Sequence, residues 1–85
     1  MRPHMTSADA DTAIEVANKI APLLAGLPAL VQSAVIADLT GRWLAGWPPD
    51  LRDIAFKEHT ALILRMVDIN EEIAFGEAGH PGGRH

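Results

Sequence analysis

Two polar side chains, His59 and Asn70, stand on what the hydrophobic pattern assigns to the apolar face of a helix. They are 11 residues apart, which places them at almost the same angle and about 16 Å apart along the axis. If two copies of this helix pack antiparallel and cross near Leu64 and Arg65, each His59 faces Asn70 of the other copy. A buried polar pair of this kind fixes register in coiled coils. The simpler interpretation places both at the edge of the core, bonded to water or a carbonyl.

The same stretch holds groups that could support acid–base chemistry, namely Glu58 and His59 near Asp50, Asp53 and Lys57. Adjacent residues of a helix diverge by about 100°, so Glu58 and His59 cannot both reach one substrate atom. Asp50 and Asp53 fit the ordinary preference of carboxylates for the start of a helix. We therefore predict no catalytic residue and no enzyme. An enzyme subunit completed by another chain is the alternative at this site.

The histidines show no metal-binding pattern, because none is spaced four residues from another and no HExxH sequence occurs; they are His4, His59, His80 and His85. Cysteine is absent, which excludes thiolate metal sites, thiol nucleophiles and disulfides. The glycines near the C-terminus precede no helix, so they form no phosphate-binding loop. The sequence predicts neither a metal site nor a cofactor.

Two tryptophans four residues apart, Trp43 and Trp47, precede Pro48 and Pro49. Tryptophan is enriched at the centres of protein interfaces, so the pair could anchor a partner. Equally, it could close the end of a three-helix core. Together with the apolar face around His59, these rings give the candidate partner or dimer interface: Trp43, Trp47, His59, Leu62, Ile63, Met66, Val67 and Asn70.

The hydrophobic periodicity predicts three helices, at about 9–25, 28–45 and 49–73. The first is amphipathic, with Ser7 or Asp9 as its cap, and Pro22 either kinks it or ends it early. The second has small residues on one side and tryptophans on the other, so it needs cover on more than one side. The third carries an apolar arc of about 160°, which is wider than one neighbouring helix covers.

These elements predict an all-α fold, a three-helix antiparallel bundle or hairpin unit with a long C-terminal helix. We expect residues 1–8 to be disordered, 9–75 to form one domain and 76–85 to form a flexible tail. Residues 1–4 are interpreted as a cloning remnant before a natural start at Met5. The apolar surplus predicts a homodimer built on helix 2, helix 3 or both; the alternative is a compact monomer.

The composition of the chain disfavours some classes of binding partner. The chain has 85 residues, 48% of them hydrophobic, and a net charge of −4. Seven scattered basic residues do not make the positive stripe that phosphate backbones require, which disfavours nucleic acid. No apolar run reaches membrane-spanning length, and the N-terminus lacks a signal-peptide pattern, so we expect a cytoplasmic protein.

The leading hypothesis is therefore a non-catalytic helical interaction protein: a homodimeric adaptor, structural component or regulator that binds itself and, through an outer face, another protein. The alternative is a small nucleic-acid-associated regulator that uses a helix-turn-helix-like pair. Such a protein would concentrate its basic side chains through dimerisation; these are Arg42, Arg52, Lys57 and Arg65.

Overall fold

The computed structural model describes residues 5–82, and every regular element in that range is helical. Helix α1 spans Ser7–Leu24, α2 spans Ala29–Ala45, a 3-10 turn covers Pro49–Leu51, and α3 spans Arg52–Phe75. The predicted all-α class with three helices is confirmed. The antiparallel bundle and the homodimer stay predictions. The proposed cloning remnant at residues 1–4 lies outside the described residues.

The chain divides into two compact units, Met1–Asp38 and Leu39–His85, with the boundary inside α2. The first unit contains α1 and the beginning of α2. The second contains the end of α2, the 3-10 turn and α3. All residues of the predicted interface belong to the second unit.

In the first unit, α1 starts two residues before the predicted Asp9 because Thr6 is its cap. The Thr6 hydroxyl accepts a hydrogen bond from Asp9 N, and the Asp9 carboxylate accepts one from Thr6 N. This reciprocal capping box satisfies two amides that the helix leaves unpaired. The helix continues through Pro22 to Leu24, and Gly26 then turns the chain at a φ of 93°.

In the second unit, α3 follows α2 across a tight turn, and its C-cap is Gly76, whose φ of 76° favours glycine. The segment predicted as a flexible tail folds back over this end as far as Gly82. The Glu71 carboxylate accepts a hydrogen bond from His80 N at 2.7 Å, and the His80 ring meets Phe75 edge-on at 4.7 Å.

Burial is slight in both units. Across residues 5–82 the only buried residue is Ala55, which is 5% exposed and lies where α3 leaves the 3-10 turn. Leu30, by contrast, is 86% exposed and Ile73 is 76% exposed. Neither unit therefore contains a hydrophobic core of its own, so the apolar arcs that periodicity predicts remain uncovered.

Candidate functional site

A shallow, mainly apolar groove runs along one face of α3. Six side chains line it: His59, Leu62, Ile63, Met66, Val67 and Asn70. They recur at intervals of three and four residues, with two adjacent pairs, and a helix of 3.6 residues per turn brings such positions to one side. We call this surface the α3 groove. It contains six of the eight interface residues that the sequence predicts.

The remaining two, Trp43 and Trp47, form an aromatic cluster with His59 at one end of the α3 groove. The Trp43 ring lies 4.7 Å from the imidazole of His59, centroid to centroid, in a tilted arrangement. Trp47 contacts Trp43 edge-on, with the centroids 5.9 Å apart. A small cavity beside this contact is lined by Leu39, Thr40, Trp43 and His59. The structure thus brings all eight predicted residues to one side of the second unit.

The tryptophans do not fill a core. Trp43 is 42% exposed and Trp47 is 38% exposed, so much of each ring still faces solvent. Large, half-exposed indole rings beside an apolar groove are typical of interface anchors. Of the two interpretations that the sequence allows, the partner anchor fits this exposure better than the core plug.

Polar groups mark both ends of the α3 groove. His59 is half-buried beneath Trp43, and Asn70 lies at the other end. The Asn70 amide donates a hydrogen bond of 2.8 Å to the Met66 carbonyl one turn earlier. This bond uses one N–H of the carboxamide, which leaves it a second N–H and an acceptor oxygen for another group.

Acid–base chemistry gains no support from this geometry. Glu58 does not line the α3 groove, whereas its neighbour His59 does. The Lys57 ammonium pairs with the Asp53 carboxylate at 3.1 Å, and both side chains are about three-quarters exposed. Such surface pairs are worth about 1 kcal/mol at most. They stabilise a helix turn and create no reactive cleft.

An acidic depression lies at the far end of α3, lined by Asp68, Glu71, Glu72, Gly76 and Glu77. Glu71 is engaged with the backbone of His80. No group of three metal-ligating side chains is placed to hold an ion within residues 5–82. In the same range, no helix is both long and apolar enough to cross a bilayer.

Two long polar side chains that the sequence did not single out as structural hold the ends of helices. The Gln32 amide donates to the carbonyls of Leu24 and Leu27 at the end of α1, at 2.8 and 3.1 Å. The Arg52 guanidinium donates to three carbonyls at the end of α2, those of Leu44, Ala45 and Trp47. The signal available in the sequence is position, since each residue stands just after a turn, within reach of the carbonyls that end the preceding helix.

No protein-family model, curated protein or solved structure matches this chain.

Proposed function

We propose that this protein is a non-catalytic helical interaction protein that works as a homodimer, with the α3 groove as the surface that the second copy covers. The observation that carries the proposal is the near-absence of buried side chains in either unit. Ala55 alone is buried across the described residues. A chain of this size folds stably only by removing apolar surface from water, and a partner can supply the missing contacts.

The area of the exposed face suits a second copy. Six apolar side chains, each between 39% and 76% exposed, lie on the α3 face: Phe56, Leu62, Ile63, Met66, Val67 and Ile73. Two copies of this face expose about 1,000 Å² of apolar surface. Specific, stable protein–protein interfaces bury about 1,200–2,000 Å² in total, so a stable dimer also needs the surface beside this face. The adjoining tryptophans, which are also half-exposed, add to the area that a partner can cover.

The nucleic-acid alternative has less support from the same residues. Three of its four candidate cations are already engaged. Arg52 binds the end of α2, Lys57 pairs with Asp53, and Arg42 also has a partner. The net charge of −4 opposes the approach of a phosphate backbone. A mobility shift with DNA that weakens as salt is added would restore this alternative.

The test is molar mass by light scattering after size exclusion, over a range of concentrations, for the wild type and Ile63→Asp. The wild type is expected to have the mass of two chains. Ile63 lines the α3 groove and is 46% exposed. A carboxylate there would be carried into an apolar interface without a partner, so we expect the dimer dissociation constant to rise more than 100-fold.

The matched control is Leu64→Asp. Leu64 is the next residue of α3 and is more exposed, at 62%, but it does not line the α3 groove. A charge at Leu64 is expected to change the dissociation constant by no more than a few-fold. A wild type with the mass of one chain at every concentration would contradict the proposal. Equal effects of the two substitutions on the dissociation constant would show that the α3 groove is not the dimer interface.

A further inference from the structure

We infer that the two copies pack α3 against α3 in antiparallel orientation, with the twofold axis between Leu64 and Arg65 and His59 of each copy bonded to Asn70 of the other. This arrangement rests on the proposed function, because it specifies how the second copy occupies the α3 groove. It also identifies what would fix the register, namely one polar pair on each side of the central apolar layers.

One stripe of α3 has the spacing that a partner helix requires, and we call it the open stripe. It follows alternating spacings of three and four residues: Phe56, His59, Ile63, Met66, Asn70 and Ile73. This is the spacing of the contact positions in a coiled coil. The four central members of the open stripe line the α3 groove, and its outer members, Phe56 and Ile73, are 49% and 76% exposed.

The positions of the open stripe are symmetric about its midpoint, so two antiparallel copies of α3 bring them together in pairs. Ile63 and Met66 lie equally far from the point midway between Leu64 and Arg65, and so do His59 and Asn70. Phe56 and Ile73 form the outermost such pair. A twofold interface requires this property, since residue i must contact j while j contacts i. An antiparallel pair thus gives apolar layers at the centre and the outer ends, with one polar layer between them on each side.

The polar layers are chemically matched. A neutral imidazole carries one donor and one acceptor, and a carboxamide carries both kinds of group. Asn70 can bind His59 of the partner copy while it keeps its bond to the Met66 carbonyl. Slipping the helices by one heptad would set His59 against Ile63 in one direction and Asn70 against Met66 in the other, which costs hydrogen bonds. The pair therefore selects one register among those that the apolar residues alone would allow.

Disulfide trapping tests the orientation, and the cysteine-free chain gives a clean background. Phe56→Cys and Ile73→Cys variants, one of them isotopically labelled, are mixed and oxidised, and the linked peptides are identified by mass spectrometry. The expected product joins residue 56 of one copy to residue 73 of the other. Two copies of residue 56 would lie about 25 Å apart along the antiparallel axis, far outside disulfide reach.

The matched control mixes Phe56→Cys with Met66→Cys, whose positions would be about 10 Å out of register. A high yield from this control, or a 56–56 disulfide, would overturn the inferred arrangement. If the wild-type mass is two chains and no 56–73 disulfide forms, the inference fails while the proposed function stands. If the wild-type mass is one chain, the proposed function itself fails.

A second measurement tests the polar pair. His59→Leu and Asn70→Leu, each alone, leave one polar partner against an aliphatic chain, and we expect the dissociation constant to rise about tenfold to 100-fold. The double variant removes both and is expected to return within a few-fold of the wild type, with a higher yield from the out-of-register cysteine pair. Additive losses without this recovery would show that the two side chains do not face one another.

Discussion

Arg52, which the sequence offers as a candidate cation for nucleic acid, has a structural role in the folded chain. Its guanidinium donates hydrogen bonds of 3.0–3.1 Å to the carbonyls of Leu44, Ala45 and Trp47. The last carbonyls of a helix lack the partners that a continuing helix would supply, and Arg52 supplies donors to them. The Leu44 carbonyl, which also accepts from Trp47 N, gains a second hydrogen bond in this way. The turn between α2 and α3 is therefore held by the first residue of α3.

Replacing Arg52 with alanine is expected to lower the free energy of unfolding by about 1–3 kcal/mol, because it removes several charge-assisted hydrogen bonds. Arg52→Lys should recover less than half of this loss, since a single ammonium cannot reproduce the planar fork of donors. Urea denaturation at one fixed protein concentration measures both variants. Lys57→Ala is the control, and its exposed ion pair predicts a change below about 1 kcal/mol. Equal losses at Arg52 and Lys57 would refute the capping role.

At the scale of the element, α2 offers a stripe of small residues as a rival interface to the α3 groove. The sequence predicts that Ala34, Ala37, Gly41 and Ala45 would allow a close helix contact. A Cβ atom added at Gly41 meets nothing within 4 Å in the structure. Whether a second copy fills that space distinguishes a dimer built on α2 from one built on α3.

Gly41→Ala is therefore a test of the choice between helices. If the dimer forms through α3, the added methyl group stays in open space and the substitution is expected to stabilise the protein by about 0.5–1 kcal/mol, through improved helix propensity. If α2 is the interface, the same methyl group would separate the two copies and weaken the dimer. Thermal denaturation together with molar mass separates these outcomes.

At the scale of the whole molecule, folding and association are expected to be one equilibrium. The described residues bury one small side chain, and an alanine contributes little hydrophobic free energy. When the folded state is a dimer, its stability depends on the concentration of chains. The protein should therefore resemble an obligate dimer more than a monomer that associates after folding.

The melting temperature is accordingly expected to rise with protein concentration, by about 4 °C for each tenfold increase. Circular dichroism at 222 nm over two decades of concentration measures this. Ile63→Asp should melt at a lower temperature than the wild type at every concentration, whereas Leu64→Asp should follow the wild-type curve. A wild-type melting temperature that is independent of concentration would mean that the chain folds alone.

The sequence by itself determined the helices, because helix formation depends on neighbours in the chain. Hydrophobic spacing, the glycines after each helix and the prolines after Trp47 are all local signals. They predicted three helices whose boundaries lie within a few residues of those observed. The same periodicity brought the six residues of the α3 groove to one face, since residues three and four apart lie on the same side of any helix.

Only the tertiary structure decided what covers each face, because that depends on residues brought together from different elements. Ala55 and Phe56 are adjacent apolar residues of α3, yet Ala55 is buried while Phe56 is 49% exposed. The contact between Trp43 and His59 joins residues 16 apart, and no local rule specifies it. Likewise, the sequence does not show that Arg52 is engaged, whereas in the structure its guanidinium binds carbonyls at the end of α2. Periodicity tells which side chains share a face, and packing tells which of those faces are left for a partner.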